Sequence, residues 1–210
     1  MNIENPLFHA VLLLTIIGEF LLPYALKNYY DGYDSKSMVM SVLGSRESPV
    51  RFVYNLWLIW LGGVMLFTAF VYFIAAKEKF PVLSVLISLS IGIFAVGAGF
   101  FSGVFSINEK KGVITLASKI HGVGAAIGFT ALLFFPLMQG ILELKNRNII
   151  LGTVCIVSFI LAFVFFIFFI MGDKEQFQNS ILKYEGLWER MTLFFMYFPF
   201  VLKSFSILFK

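Results

Sequence analysis

Glu19, His121, Glu189 and Arg190 are at odds with their surroundings. Each lies in, or opens, a run of apolar residues long enough to cross a bilayer. An ionisable side chain in such a run is costly in lipid, so it needs a partner or a purpose. Glu19 is roughly two turns from the end of its run, about 10–12 Å deep at 1.5 Å per residue. A carboxyl at that depth must be neutral, paired or reached by water. His121 lies in a run whose other ionisable residue is Lys119, near its start. Asn55 brings a polar amide to the start of a further run.

These types support three kinds of chemistry. Arg190 and Lys119 would hold a lipid headgroup, a small anionic ligand or a segment of a membrane partner, as basic pockets between helices do. Alternatively, His121 would act as general acid or base on a lipid or lipid-linked substrate, oriented by Glu19 or Glu189. As a third reading, Glu19 and His121 would form the relay of a proton-coupled carrier. Against transport stand the small size and the absence of visible internal repeats or paired broken helices. A homodimer would remedy the size.

Other chemistries lack their residues. A zinc hydrolase needs about three protein ligands and a water. The two histidines, His9 and His121, fall toward opposite sides of the membrane, which argues equally against bis-histidine haem. Cys155 is the single cysteine, so it makes no intramolecular disulfide and no thiolate metal site. It reads as a small packing residue. No phosphate-binding loop, dinucleotide turn or Gly-x-Ser-x-Gly elbow stands in a suitable context. The expectation is no metal and no cofactor.

The elements that must position these residues are helices. Sixty per cent of the 210 residues are hydrophobic, 13 % are charged and 27 are Phe, which is too little polar surface for a soluble domain. The net charge of +4 sits as single cations at the ends of apolar runs, which suits interfacial anchoring and not nucleic acid. Six runs of spanning length stand at about 7–26, 52–76, 81–107, 113–138, 149–171 and 186–208. The expected fold is all-α: a polytopic bundle of six transmembrane helices, one domain over 1–210, in the cell membrane. Leu7 to Leu26 has full spanning length and no basic region before it, so it reads as a retained first helix and not a signal. Membrane lipids are the expected surroundings.

The central pair of runs carries stripes of small residues. Ser84, Ser88, Gly92, Ala95, Gly99 and Gly103 share one helical face, and so do Ala117, His121, Gly124, Gly128 and Ala131. Matching stripes let two helices approach closely in lipid, so these two are expected to face each other. A polar bend at 108–112 joins them. Asn55, Gly62 and Ala69 form a seam at seven-residue spacing on the second helix, and Tyr54, Trp57 and Trp60 read as an interfacial aromatic belt. The Phe-rich fifth helix reads as the most lipid-exposed.

An even number of crossings puts both termini on one side, here side A, with the turns at 77–79 and 143–148. Side B carries the loops at 27–52, 107–112 and 173–185. Cations in the short A-side turns lean toward A being cytoplasmic. Glu19, Asn55, Lys119, His121, Glu189 and Arg190 all gather toward B, which is the layout of a polar cavity opening there with His121 at its floor. The segment 37–43 is amphipathic enough for a short helix on the membrane or over the bundle, and loop 27–52 is long enough for a lid.

Ser41-Val42-Leu43-Gly44, Ser48-Pro49, Asn55 and Gly62 form one group of short motifs. Gly97, Gly99, Gly103, Ile120-His121-Gly122 and Gly186-Leu187-Trp188-Glu189-Arg190-Met191 complete it. Across nearly the whole chain they resemble a six-helix membrane family of bacteria and archaea, catalogued as domain of unknown function number nine hundred and ninety-eight. That family often has Phe-Pro-Asp after the third-helix glycines, where this chain has Val104-Phe105-Ser106-Ile107-Asn108-Glu109. The resemblance implies a six-helix fold and adds interest to His121 and Arg190. It brings no activity.

Overall fold

The protein is described by a computed structural model covering residues 4–108 and 114–209. Most of the bend expected at 108–112 lies outside the described residues. Six helices are long and apolar enough to cross a membrane. They are α1 (Pro6–Leu26), α2 (Arg51–Ala76), α3 (Pro81–Val104), α4 (Leu116–Lys145), α5 (Ile149–Gly172) and α6 (Glu185–Leu208). The chain is therefore the all-α transmembrane bundle that its composition demanded.

Local sequence fixes several helix starts. The Asn5 side chain accepts the Leu7 and Phe8 N–H groups, and Pro6 supplies the first helical residue. Thr115 and Ser118 form a reciprocal capping box at the start of α4. α4 breaks at Phe134 into Leu116–Leu133 and Phe135–Lys145. Pro136 explains the break, because it offers no N–H to the preceding turn. The helix then resumes beyond the expected end at 138, so Glu143 belongs to the span and not to a surface turn. It is buried, and its carboxyl accepts Gln139 Nε2 at 2.8 Å and Asn148 Nδ2 at 3.2 Å.

The third helix corrects the expected pairing of stripes. Its small-residue face meets α2, not α4. A Cβ on Gly99 would run into Gly62, and one on Gly103 would meet the Asn55 carbonyl oxygen at 2.8 Å. Ser88 Oγ donates to the Ala69 carbonyl at 2.6 Å, and Ser84 Oγ to that of Phe73 at 2.7 Å. The Asn55–Gly62–Ala69 seam is therefore the counterpart of the α3 stripe. The glycines of α4 pack instead on residues lying off that stripe: Gly124 against Gly97, and Gly128 against Ala98. A π-helical segment, Ala95–Phe101, contains these contact residues. It widens the turn there, and the segment presents Gly99 to α2 and Gly97, two residues earlier and off the stripe, to α4.

Loop 27–50 folds over the side-B end of the bundle. Its 3₁₀ turn, Met40–Gly44, buries Met40, Val42 and Leu43, which settles it against the helices and not on the membrane surface. α5 is the most lipid-exposed helix: 17 % of its apolar window is buried, against 39–50 % in the other five. His9, expected near the interface, is fully buried, with Nδ1 3.0 Å from Ser204 Oγ of α6.

Candidate functional site

Inside the bundle lies a cavity of about 700 Å³ to which all six helices contribute, with Val39, Met40 and Ser41 of the loop above it. Its walls are largely apolar: Leu58 and Leu61 of α2, Phe94 of α3, Phe129 of α4, and Phe166 and Phe169 of α5. Its titratable groups concentrate at side B. They are Glu19 from α1, Tyr54 from α2, His121 from α4, and Glu185 and Glu189 from α6, with Asp173 just past α5. Glu19, His121 and Glu189 are 3 %, 4 % and 6 % exposed. Small residues make the space. Gly122 has nothing within 4 Å of where a Cβ would stand, and Ala125 and Ala126 continue that wall.

Glu19, His121 and Glu189 are each held by a neighbour. Trp57 Nε1 donates to Glu19 Oε2 at 2.6 Å, and its ring lies against Gly18, where any side chain would collide with it. Trp60 Nε1 donates to Thr15 Oγ1 at 3.1 Å, one helical turn away. These indoles fasten α2 to α1; of the three aromatics read as an interfacial belt, Trp60 keeps half its surface exposed and Tyr54 is buried. His121 Nδ1 lies 2.7 Å from the Phe105 carbonyl oxygen. A carbonyl only accepts, so Nδ1 carries the proton and satisfies a carbonyl at the end of α3. The orienting group of the imidazole is thus a backbone carbonyl. Glu19 bonds to Trp57 and Glu189 to the loop.

Glu189 and Arg190 clasp that loop. Glu189 Oε2 accepts the Met40 N–H at 2.7 Å. Arg190 Nη1 donates to the carbonyls of Ser35 at 2.8 Å, Gly186 at 2.7 Å and Met38 at 3.3 Å, and Nη2 donates to Tyr33 Oη at 2.7 Å. Leu187 N–H adds a bond to the Lys36 carbonyl at 2.9 Å. The Met38 carbonyl presses so closely on Gly186 that a Cβ has no room there. These contacts account for Gly186, Glu189 and Arg190 of the motif without a ligand. The loop itself is stiffened by Asp34, whose oxygens accept the N–H groups of Lys36 and Ser37. The Ser37 side chain and these N–H groups hold its carboxyl below the usual range. Burial pushes the Tyr33 phenol up to about 12, against the opposing pull of the Arg190 guanidinium.

The structure brings Glu19, His121 and Glu189 to one cavity and leaves the other three sequence candidates outside it. Arg190 is spent on the loop, with its Nη1 4.0 Å from Glu189 Oε2 behind the cavity wall. Asn55 Nδ2 donates to Ser106 Oγ at 3.1 Å, beside Arg51 Nε at 3.0 Å, and ties the start of α2 to the end of α3. Lys119 is exposed on the outer surface of α4. Sequence reasoning missed Tyr54, Trp57, Asp173 and Glu185. For Trp57 a signal existed, because Gly18 beside Glu19 offers a seat for a ring. For Asp173 and Glu185, which read as ordinary loop charges, none did.

No curated protein and no solved structure matches the chain. A family profile matches residues 13–204, nearly its whole length. The arrangement of six apolar helices accords with that match, and the chain belongs to the family described as Protein of unknown function (DUF998).

Proposed function

We propose that this protein is a ligand-binding membrane protein whose cavity takes an amphiphile with an ammonium or other N–H donor head. The head would lie among Glu19, Glu189 and His121, and the apolar tail against Phe129, Phe166 and Phe169. One observation carries this reading: four acidic side chains and no Lys or Arg are among the described residues lining the cavity. Carboxyl oxygens accept hydrogen bonds and favour positive charge. An anionic head, which Arg190 and Lys119 would have held, meets neither of them there.

The geometry also favours binding over acid–base catalysis. His121 is oriented by a backbone carbonyl that ties down α3, and neither Glu19 nor Glu189 takes that part. Native mass spectrometry of the detergent-purified protein tests the reading. The expected result is a co-purifying amphiphile with a donor head in the wild type, absent from Gly122→Phe, which fills the open wall. An empty wild-type protein, or a ligand that survives Gly122→Phe, would overturn it.

We also place both termini in the cytoplasm of the cell membrane, so that the loop over the cavity faces outward. Lys77, Lys79, Lys145 and Arg147, in the short A-side turns, support that orientation. A carboxy-terminal reporter active only in the cytoplasm checks it.

A further inference from the structure

A second space lies on the outside of the bundle, between α3 and α4, independent of the cavity. It is a groove of about 800 Å³ with almost wholly apolar walls and Lys119 at its side-B end. Gly97 and Gly124, where the two helices touch, form part of its floor. At Gly92 the floor is open: a Cβ there would meet only the Ala69 methyl, at 3.9 Å. Along α3 the groove runs from Phe101 to Ser88. That is about 20 Å at 1.5 Å per residue, against ~15 Å for half the hydrocarbon core of a bilayer.

We propose that this groove binds an anionic phospholipid of the side-B leaflet, with one acyl chain along the α3–α4 crossing and the phosphate on Lys119. Three observations fix the occupant. The groove has the length of one leaflet's chain. Lys119 is the only charged side chain among the described residues lining it. Lys119 also stands in the first turn of α4, where a cation opposes the helix dipole. A phosphate at that level is attracted by both the ammonium and the dipole. A second copy of the chain would instead press Lys119 into a helix contact, and no Asp or Glu lines this face among the described residues to receive it.

The test is a titration of delipidated protein in detergent with phosphatidylglycerol or phosphatidylcholine of the same chains, read by native mass spectrometry. Wild type should prefer phosphatidylglycerol. Lys119→Gln, an exposed change, should weaken that lipid about fivefold and phosphatidylcholine, whose phosphate is offset by its own ammonium, much less. Gly92→Leu, which fills the floor, should weaken both. Equal affinity of wild type for the two lipids, or phosphatidylglycerol binding untouched by Lys119→Gln, would overturn the proposal. So would a wild-type dimer that Gly92→Leu converts to monomer, since it would assign the groove to a second copy.

Discussion

Glu189 holds the backbone N–H of Met40 at 2.7 Å, a bond spanning 149 residues of chain that fastens the loop over the cavity to the first turns of α6. Its neighbour Arg190 holds the same loop at Tyr33, Ser35 and Met38. Two adjacent residues thus divide the work. One lies at the cavity and closes its roof; the other lies outside and anchors the approach to that roof.

Glu189→Ala leaves the buried Met40 N–H without its acceptor, a loss of about 1–3 kcal/mol. Hydrogen exchange at 39–44 should accelerate while the transmembrane helices stay protected. Glu189→Gln keeps an acceptor oxygen and should fall between wild type and Ala. Unchanged exchange in the Ala variant would show that the clasp does not hold the loop.

Arg190→Lys keeps the charge and loses the fork. A single ammonium cannot serve Tyr33 and three carbonyls from the position that the guanidinium occupies. The expected cost is about 2 kcal/mol in detergent unfolding, with exchange rising at 33–40. Stability equal to wild type would mean that charge alone suffices.

Trp57→Phe removes the donor to Glu19 and the outer ring atoms that lie on Gly18. A buried carboxyl oxygen is left without its partner, at about 1–3 kcal/mol. Unfolding of the purified variant measures this. A second substitution, Glu19→Leu, should recover part of the loss, because it replaces the stranded polar group with an apolar one.

Tyr33 should resist ionisation. Its phenol is pushed from an ordinary 10 to about 12, chiefly by burial. A group whose folded value is raised contributes fully below its unfolded value and loses that contribution as pH rises through the folded one. The clasp should therefore hold to pH 10 and loosen toward pH 12. Tyrosinate absorbance of wild type minus Tyr33→Phe gives the titration, and a midpoint near 10 would refute the burial of this side chain.

Gly62→Ala should disturb the α2–α3 crossing. The new methyl would stand 2.9 Å from the Ala95 carbonyl oxygen and 3.1 Å from the Phe100 nitrogen, both in the π-helical segment. Overpacking of this kind costs about 1–3 kcal/mol, read as a lower unfolding midpoint. Gly63→Ala, with nothing within 4 Å, is the matched control and should be nearly silent.

Composition and the length of the apolar runs set the class and the spans. Apolar runs of this length leave no alternative to membrane helices, because every backbone group in lipid must be satisfied within its own helix. The sequence also marked which residues are costly, and Glu19, His121 and Glu189 do meet at one cavity. Tertiary structure decided their roles. Arg190, Lys119 and Asn55 stand out in the sequence as much as the cavity residues do, and only the packing shows that they face the loop, the outer surface of α4 and Ser106. Packing decided that α3 offers Gly99 and Gly103 to α2 and Gly97 to α4, since a stripe of small residues does not say which neighbour will cover it. Glu143 stands beside a turn in the sequence and inside the bundle in space, because α4 resumes after Pro136 and carries it below the surface.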